Sequence, residues 1–155
     1  MDEHSRILIV DDDESIRKIL SAILEEEGYT VETAENGREA IDKTNAKVYN
    51  LVLVDVRLPD IEGVVLLGKL RETMPRMRKI IITGFPTVRN AIEAVNNMAD
   101  AYMLKPFEIG KILETIKEQL KKQLEEKAYN QNRITEFIET RVKELEMENP
   151  PKTSQ

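Results

Sequence analysis

Carboxylates, a hydroxyl and an ammonium stand at the ends of short apolar runs in this chain. Arg6-Ile-Leu-Ile-Val10 leads into Asp11, Asp12 and Asp13, and Leu51-Val-Leu-Val54 leads into Asp55. Lys79-Ile-Ile-Ile-Thr83 ends on a hydroxyl before Gly84, and Ala101-Tyr-Met-Leu104 leads into Lys105-Pro106-Phe107. Carboxylates without sulfur or imidazole suit Mg²⁺, which keeps several waters and takes a substrate phosphate as a further ligand. A carboxylate can also attack phosphorus and form an acyl phosphate. The metal, the Lys105 ammonium and the Thr83 hydroxyl would then neutralise charge building on the phosphoryl oxygens. Asp55, at the end of the most central run, is the leading candidate for the reacting group.

This chemistry requires that the ends meet. Apolar runs bounded by turn signals read as strands buried on both faces. Ile16, Ile19, Leu20, Ile23 and Leu24 recur at spacings of three and four, predicting a helix from about Glu14 to Glu27 that Gly28 closes. Asp13 is placed to cap it; the adjacent Asp11 and Asp12 repel each other unless a positive charge sits between them. Tyr29 to Ala34 alternates as a half-covered strand before an Asn36-Gly37 turn, and a short helix over about 38–45 follows. Val64, Leu66, Leu67 and Leu70 mark a helix that stops before Pro75, and Val88, Ala91, Ile92 and Val95 mark another. Five strands alternating with helices imply a doubly wound parallel sheet covered on both faces. Strands one, three, four and five of such a sheet deliver their carboxyl ends to one edge, where ligands bind.

The last helix starts near Phe107 with a stripe of Ile109, Ile112, Leu113, Ile116, Leu120 and Leu124, and overshoots the three or four turns a sheet can cover. Tyr129-Asn-Gln-Asn132 interrupts the stripe, and Ile134, Phe137, Ile138, Val142 and Leu145 restore it.

The 155 residues suffice for one domain plus an appendage. With no cysteine there is no thiolate chemistry, and with no apolar stretch for a membrane span or signal peptide a cytoplasmic location is expected. The net charge of −6 argues against direct nucleic-acid binding, and all of it lies in residues 1–118, because residues 119–155 hold seven basic and seven acidic side chains.

The motifs Ile-Leu-Ile-Val-Asp11-Asp12, Val-Asp55-Val-Arg-Leu-Pro59 with Gly63, Ile-Ile-Thr83-Gly84 and Tyr102-Met-Leu-Lys105-Pro106-Phe107, in this order, resemble the response-regulator receiver domains of two-component signalling. The resemblance covers Arg6 to about Gln119. It implies a flavodoxin-like sheet of order 2-1-3-4-5 and a division into a receiver domain over 1–119, a helical extension over 120–149 and a disordered tail over 150–155. It further implies that Asp55 is the phosphoacceptor, that Asp11, Asp12, Asp55 and the Arg57 backbone carbonyl hold Mg²⁺, and that Thr83 and Lys105 contact the phosphoryl group. Gly84 would leave room beside that group, Thr83 and Tyr102 would move together as the switch, and Lys105-Pro106 would be cis. The implied partners are a sensor histidine kinase and a downstream protein, with a homodimer formed through the last helix as a further expectation.

Each role has a structural rival: Thr83 as a β-branched strand residue, Lys105 as a solvated lysine, Tyr102 as a packed strand aromatic. His4, the only histidine, is given no role. Two positions depart from the family pattern. Met98 stands where glycine usually closes the fourth helix, so a different turn over 96–100 is expected, with Asn96 or Asn97 taking over the cap. Arg57, two residues past the acceptor, bears on access of the attacking water. Aspartyl phosphatases carry a second acid at that place, so the arginine argues against a turnover enzyme. A helix-turn-helix is absent from the tail, which leaves a stand-alone receiver or a connector into a longer regulator or sensor kinase.

Overall fold

The protein is described by a computed structural model that covers residues 5–149; His4 and the tail from Pro150 lie outside the described residues. The chain runs β1 (Arg6–Val10), α1 (Glu14–Glu26), β2 (Thr30–Ala34), α2 (Gly37–Ala46), β3 (Leu51–Asp55), α3 (Gly63–Leu67), β4 (Arg78–Thr83), α4 (Val88–Asn96), β5 (Ala101–Leu104) and α5 (Ile109–Glu148). All four strand pairings are parallel and the order is β2-β1-β3-β4-β5.

Successive strand residues point to opposite faces, so a strand buried twice must be apolar throughout. Leu8, Val10, Val52, Val54 and Ile81 pack under α2, α3 and α4 with Ala40, Val64, Leu66, Leu67 and Ala94. Ile7, Ile9, Leu51, Leu53, Ile80 and Ile82 pack under α1 and α5 with Leu20, Leu24, Ile112 and Ile116.

The caps follow the sequence in part. Asp13 accepts from the N–H groups of Ser15 at 2.9 Å and Ile16 at 3.3 Å, as expected. Asn36 accepts from Glu39 at the start of α2, and Asp60, from the loop after β3, accepts from Gly37 and Arg38 at 2.9 Å each. Helix α3 ends before the last residue of its apolar pattern: Gly68 weakens continuation, and the buried Lys79 ammonium takes the free carbonyl of Leu67 at 3.0 Å.

The expectation for Met98 is corrected. Helix α4 ends in a Schellman turn, with Met98 N–H donating to Val95 O at 3.1 Å and Ala99 N–H to Ala94 O at 2.9 Å. Met98 itself holds the left-handed position, at φ 67°. Asn97 is the cap residue, but its side chain donates to Val64 O at 2.7 Å on α3 rather than closing its own helix.

Tyr129 to Asn132 do not interrupt α5, which continues for 40 residues; asparagine and glutamine each cost a helix only a fraction of a kcal/mol. Gln123 ties the helix to the sheet, donating to Asn50 O at 2.9 Å and Arg76 O at 2.8 Å and accepting from Asn50 Nδ2 at 3.1 Å. Glu126 pairs with Arg78, which shares Asp100 with Arg76. Beyond that anchor Ile134, Phe137, Ile138, Val142 and Leu145 are exposed.

Candidate functional site

The carboxyl ends of β1, β3, β4 and β5 meet at one edge, as the topology requires. Asp11 follows β1 and is buried, Asp55 ends β3 half-buried, and Asp12 is exposed. One carboxylate oxygen from each lies within 4.8 Å of the others. Lys105, just past β5, reaches between them: its Nζ is 2.9 Å from Asp11 Oδ2 and 3.2 Å from Asp55 Oδ2. This ammonium is the positive charge that the acidic cluster needs.

The electrostatics follow from that contact. Burial pushes the Asp11 carboxyl up, and the Asp13 N–H and the Lys105 ammonium offset this only in part. Burial acts to lower Lys105, but its hydrogen bond to Asp11 and the charges of Asp11 and Asp55 outweigh it and hold the ammonium above the ordinary lysine value. The Lys105–Pro106 bond is cis, as is Met74–Pro75.

Thr83 and Tyr102 stand apart from the cluster. Thr83 is fully buried, and its Oγ1 accepts from the Phe85 N–H at 3.0 Å. Tyr102, register partner of Ile81, packs partly buried on the α2-α3-α4 side of the sheet, and strand alternation puts Thr83 on that same side. Its phenol oxygen is buried without a hydrogen-bond partner among the described residues.

The loop after β3 makes two contacts through Arg57. Arg57 N–H donates to Asp55 Oδ1 at 3.2 Å, and its guanidinium lies 3.6 Å from the centre of the Phe85 ring. Gly84 leaves room for a small group, since an added Cβ would meet Lys105 Cβ at an ordinary contact of 3.8 Å.

Three contributors escape a sequence reading. Arg17 donates to the Asp11 carbonyl at 2.8 Å, Asp60 ties the loop after β3 to α2, and Phe85 receives Arg57. Arg17, four residues after the Asp13 cap, offered a weak signal; the others arise from loops brought together by the sheet.

The response regulator receiver domain profile matches residues 7–117. The chain belongs to this family. It is a receiver domain of the two-component response regulators. Transcriptional regulatory protein ZraR of Klebsiella oxytoca is 37% identical over 118 residues, 76% of this receiver chain and 27% of ZraR. The uncharacterized transcriptional regulatory protein YkoG of Bacillus subtilis is 37% identical over 119 residues, 77% of this chain and 52% of YkoG. The chain thus spans between about a quarter and a half of these relatives, which are regulators. A CheY-like receiver domain protein from Methanospirillum hungatei superposes with TM-score 0.76 at 44% identity, covering 79% of this chain and 98% of that one. The beryllofluoride-activated NtrC4 receiver domain dimer gives 0.71 at 40%, covering 76% and 98%. No helix among the described residues is long and apolar enough to cross a membrane.

Proposed function

We propose that this receiver accepts a phosphoryl group from the phosphohistidine of a sensor histidine kinase onto Asp55. The observation that supports the reading best is Lys105 Nζ held between Asp11 and Asp55. An Asp55 carboxylate oxygen attacks phosphorus; the O–P bond forms as the N–P bond of the donor breaks, and the imidazole leaves with that electron pair. Lys105, already within reach of Asp55 Oδ2, follows onto a phosphoryl oxygen, and the open side of Gly84 admits the group.

The donor set fits Mg²⁺, since it is made only of hard oxygens, closely grouped. Asp11, Asp12, Asp55 and the Arg57 carbonyl would hold the ion, which supplies charge neutralisation for the transferred phosphoryl oxygens. Thr83 would turn its hydroxyl from Phe85 to the phosphoryl group, and Tyr102, whose buried hydroxyl has no partner among the described residues, would move with it.

The output is a change in the surface of α4, β5 and α5, where Val88, Ile92, Val95 and Leu104 are exposed. A downstream protein, or a second copy through the apolar stripe of α5, would read it. The greater length of the relatives favours a role for α5 as the connector to a further module.

Intact mass after incubation with acetyl phosphate tests this, with Mg²⁺ or with EDTA, on wild type and Asp55→Asn. One phosphoryl adduct that needs both Mg²⁺ and Asp55 is expected. No adduct under any condition would leave a docking module without phosphorylation.

A further inference from the structure

We infer that the stack of Arg57 on Phe85 is a charge-sensitive latch, which keeps the Thr83 hydroxyl engaged with its own loop until a phosphoryl group on Asp55 draws the guanidinium off the ring. The inference rests on the reading of Asp55 as phosphoacceptor.

Phe85 is a large ring, 57% exposed, that belongs to neither core cluster. The Arg57 guanidinium lies against it at 3.6 Å from the ring centre. The same residue's N–H is bonded to Thr83 Oγ1 at 3.0 Å. The place of the ring and the direction of the hydroxyl therefore belong to one turn, Thr83-Gly84-Phe85, whose middle residue has free space beside it.

Arg57 supplies the sensitivity to charge. It makes no ion pair among the described residues, although its own N–H touches the Asp55 carboxylate. A cation on an aromatic face in contact with water is weakly held. An aspartyl phosphate carries nearly two negative charges on three acceptor oxygens where the carboxylate carried one, and guanidinium binds such a group in paired, charge-assisted hydrogen bonds. The phosphoryl group is the stronger partner. Once Arg57 leaves, the ring is free, the turn relaxes and the Phe85 N–H lets go of Thr83. The hydroxyl can then turn to the phosphoryl oxygens alongside Lys105.

Labelling the three phenylalanines with 4-fluorophenylalanine makes the ring visible by fluorine NMR, with Phe85→Leu assigning its signal. In wild type the Phe85 signal should move on treatment with acetyl phosphate and Mg²⁺. It should move toward the position it already occupies in unphosphorylated Arg57→Gln, and the Phe85 amide should lose its hydrogen bond in the same step. Phe85→Leu keeps the arginine but removes the stack, and should take up phosphoryl about two- to fivefold faster, the size of a surface cation–π contact; adding Thr83→Ala should erase that gain. Intact mass on the same samples separates the failures. No adduct overturns the assignment of Asp55 and the latch with it. An adduct with an unmoved Phe85 signal, or equal signals in wild type and Arg57→Gln before phosphorylation, overturns the latch alone.

Discussion

A Cβ placed on Gly63 would stand 2.1 Å from the carbonyl oxygen of Asp55. Gly63 also donates its N–H to Val56 O at 2.7 Å, so the first turn of α3 lies directly on the backbone of the proposed acceptor. The obstacle is backbone, which cannot swing aside as a long side chain can. Gly63→Ala should therefore lower stability by about 1 to 3 kcal/mol, as overpacking does, and slow phosphoryl uptake by displacing Asp55. Urea denaturation and intact mass check the two effects; an unchanged midpoint would show that α3 can retreat.

Lys105 holds the place between Asp11 and Asp55 that a metal ion would share. Lys105→Met keeps the bulk and removes the charge. Mg²⁺ should then bind at least about fivefold more tightly, a gain of about 1 kcal/mol, while phosphoryl uptake falls by about tenfold or more. Calorimetric titration with Mg²⁺ is the check. Weaker binding would mean that the ammonium props the carboxylates into position instead of competing with the ion.

Asp100 gives the acid limb of stability a definite sign. Burial alone would raise its carboxyl, but the hydrogen bond from Arg76, the Lys79 N–H and the charges of Arg76 and Arg78 hold it below the ordinary 3.8. The unfolded chain binds this proton more readily, so the contribution is full above about pH 3.8 and is lost as pH falls through the lower folded value. Asp100→Asn should cost about 2 to 3 kcal/mol at neutral pH by leaving Arg76 without its carboxylate and Arg78 with Glu126 alone, and should flatten the fall in melting temperature between pH 4 and 2, the range about the ordinary carboxylate value. Parallel melts of the two proteins across that range decide it.

Met98 occupies a backbone region where a Cβ crowds the following carbonyl, at a cost of roughly 1 to 2 kcal/mol. Met98→Gly relieves the crowding but loosens the unfolded chain, for a net gain of about 0.5 to 1 kcal/mol. A higher melting temperature with unchanged phosphoryl uptake is expected. A lower one would show that the half-exposed methionine packs usefully.

Asp11, Asp12, Asp55 and Lys105 were legible because each follows an apolar run, and parallel strands ending at one edge leave their next residues no other place to go. A run as short as Leu51–Val54, bounded by turn signals, is too brief for a buried helix and reads as a strand buried on both faces. The extents of α3 and α5 were less legible. Gly68 and the Lys79 ammonium end α3, and the polar segment at 129–132 removes the apolar signal of α5 while costing its helical propensity only a fraction of a kcal/mol per residue. The stack of Arg57 on Phe85 and the grouping of Arg76, Arg78, Asp100 and Glu126 join residues well apart in the chain. No local period encodes such meetings. Met98 was misjudged because a penalty of this size is readily absorbed by the two hydrogen bonds of a complete Schellman turn.

The anchor of α5 makes a fulcrum of Gln123 and Glu126. The 22 residues from there to Glu148 form an arm roughly 33 Å long at helical rise. A tilt of only about 5° at the fulcrum would carry the tip through about 3 Å. Asp100, which binds Arg78, the arginine that pairs with Glu126, is the residue just before β5, and β5 carries Tyr102. A displacement too small to disturb the packing beneath the sheet would thus be magnified far from the acidic cluster, at the end of a single unbroken rod.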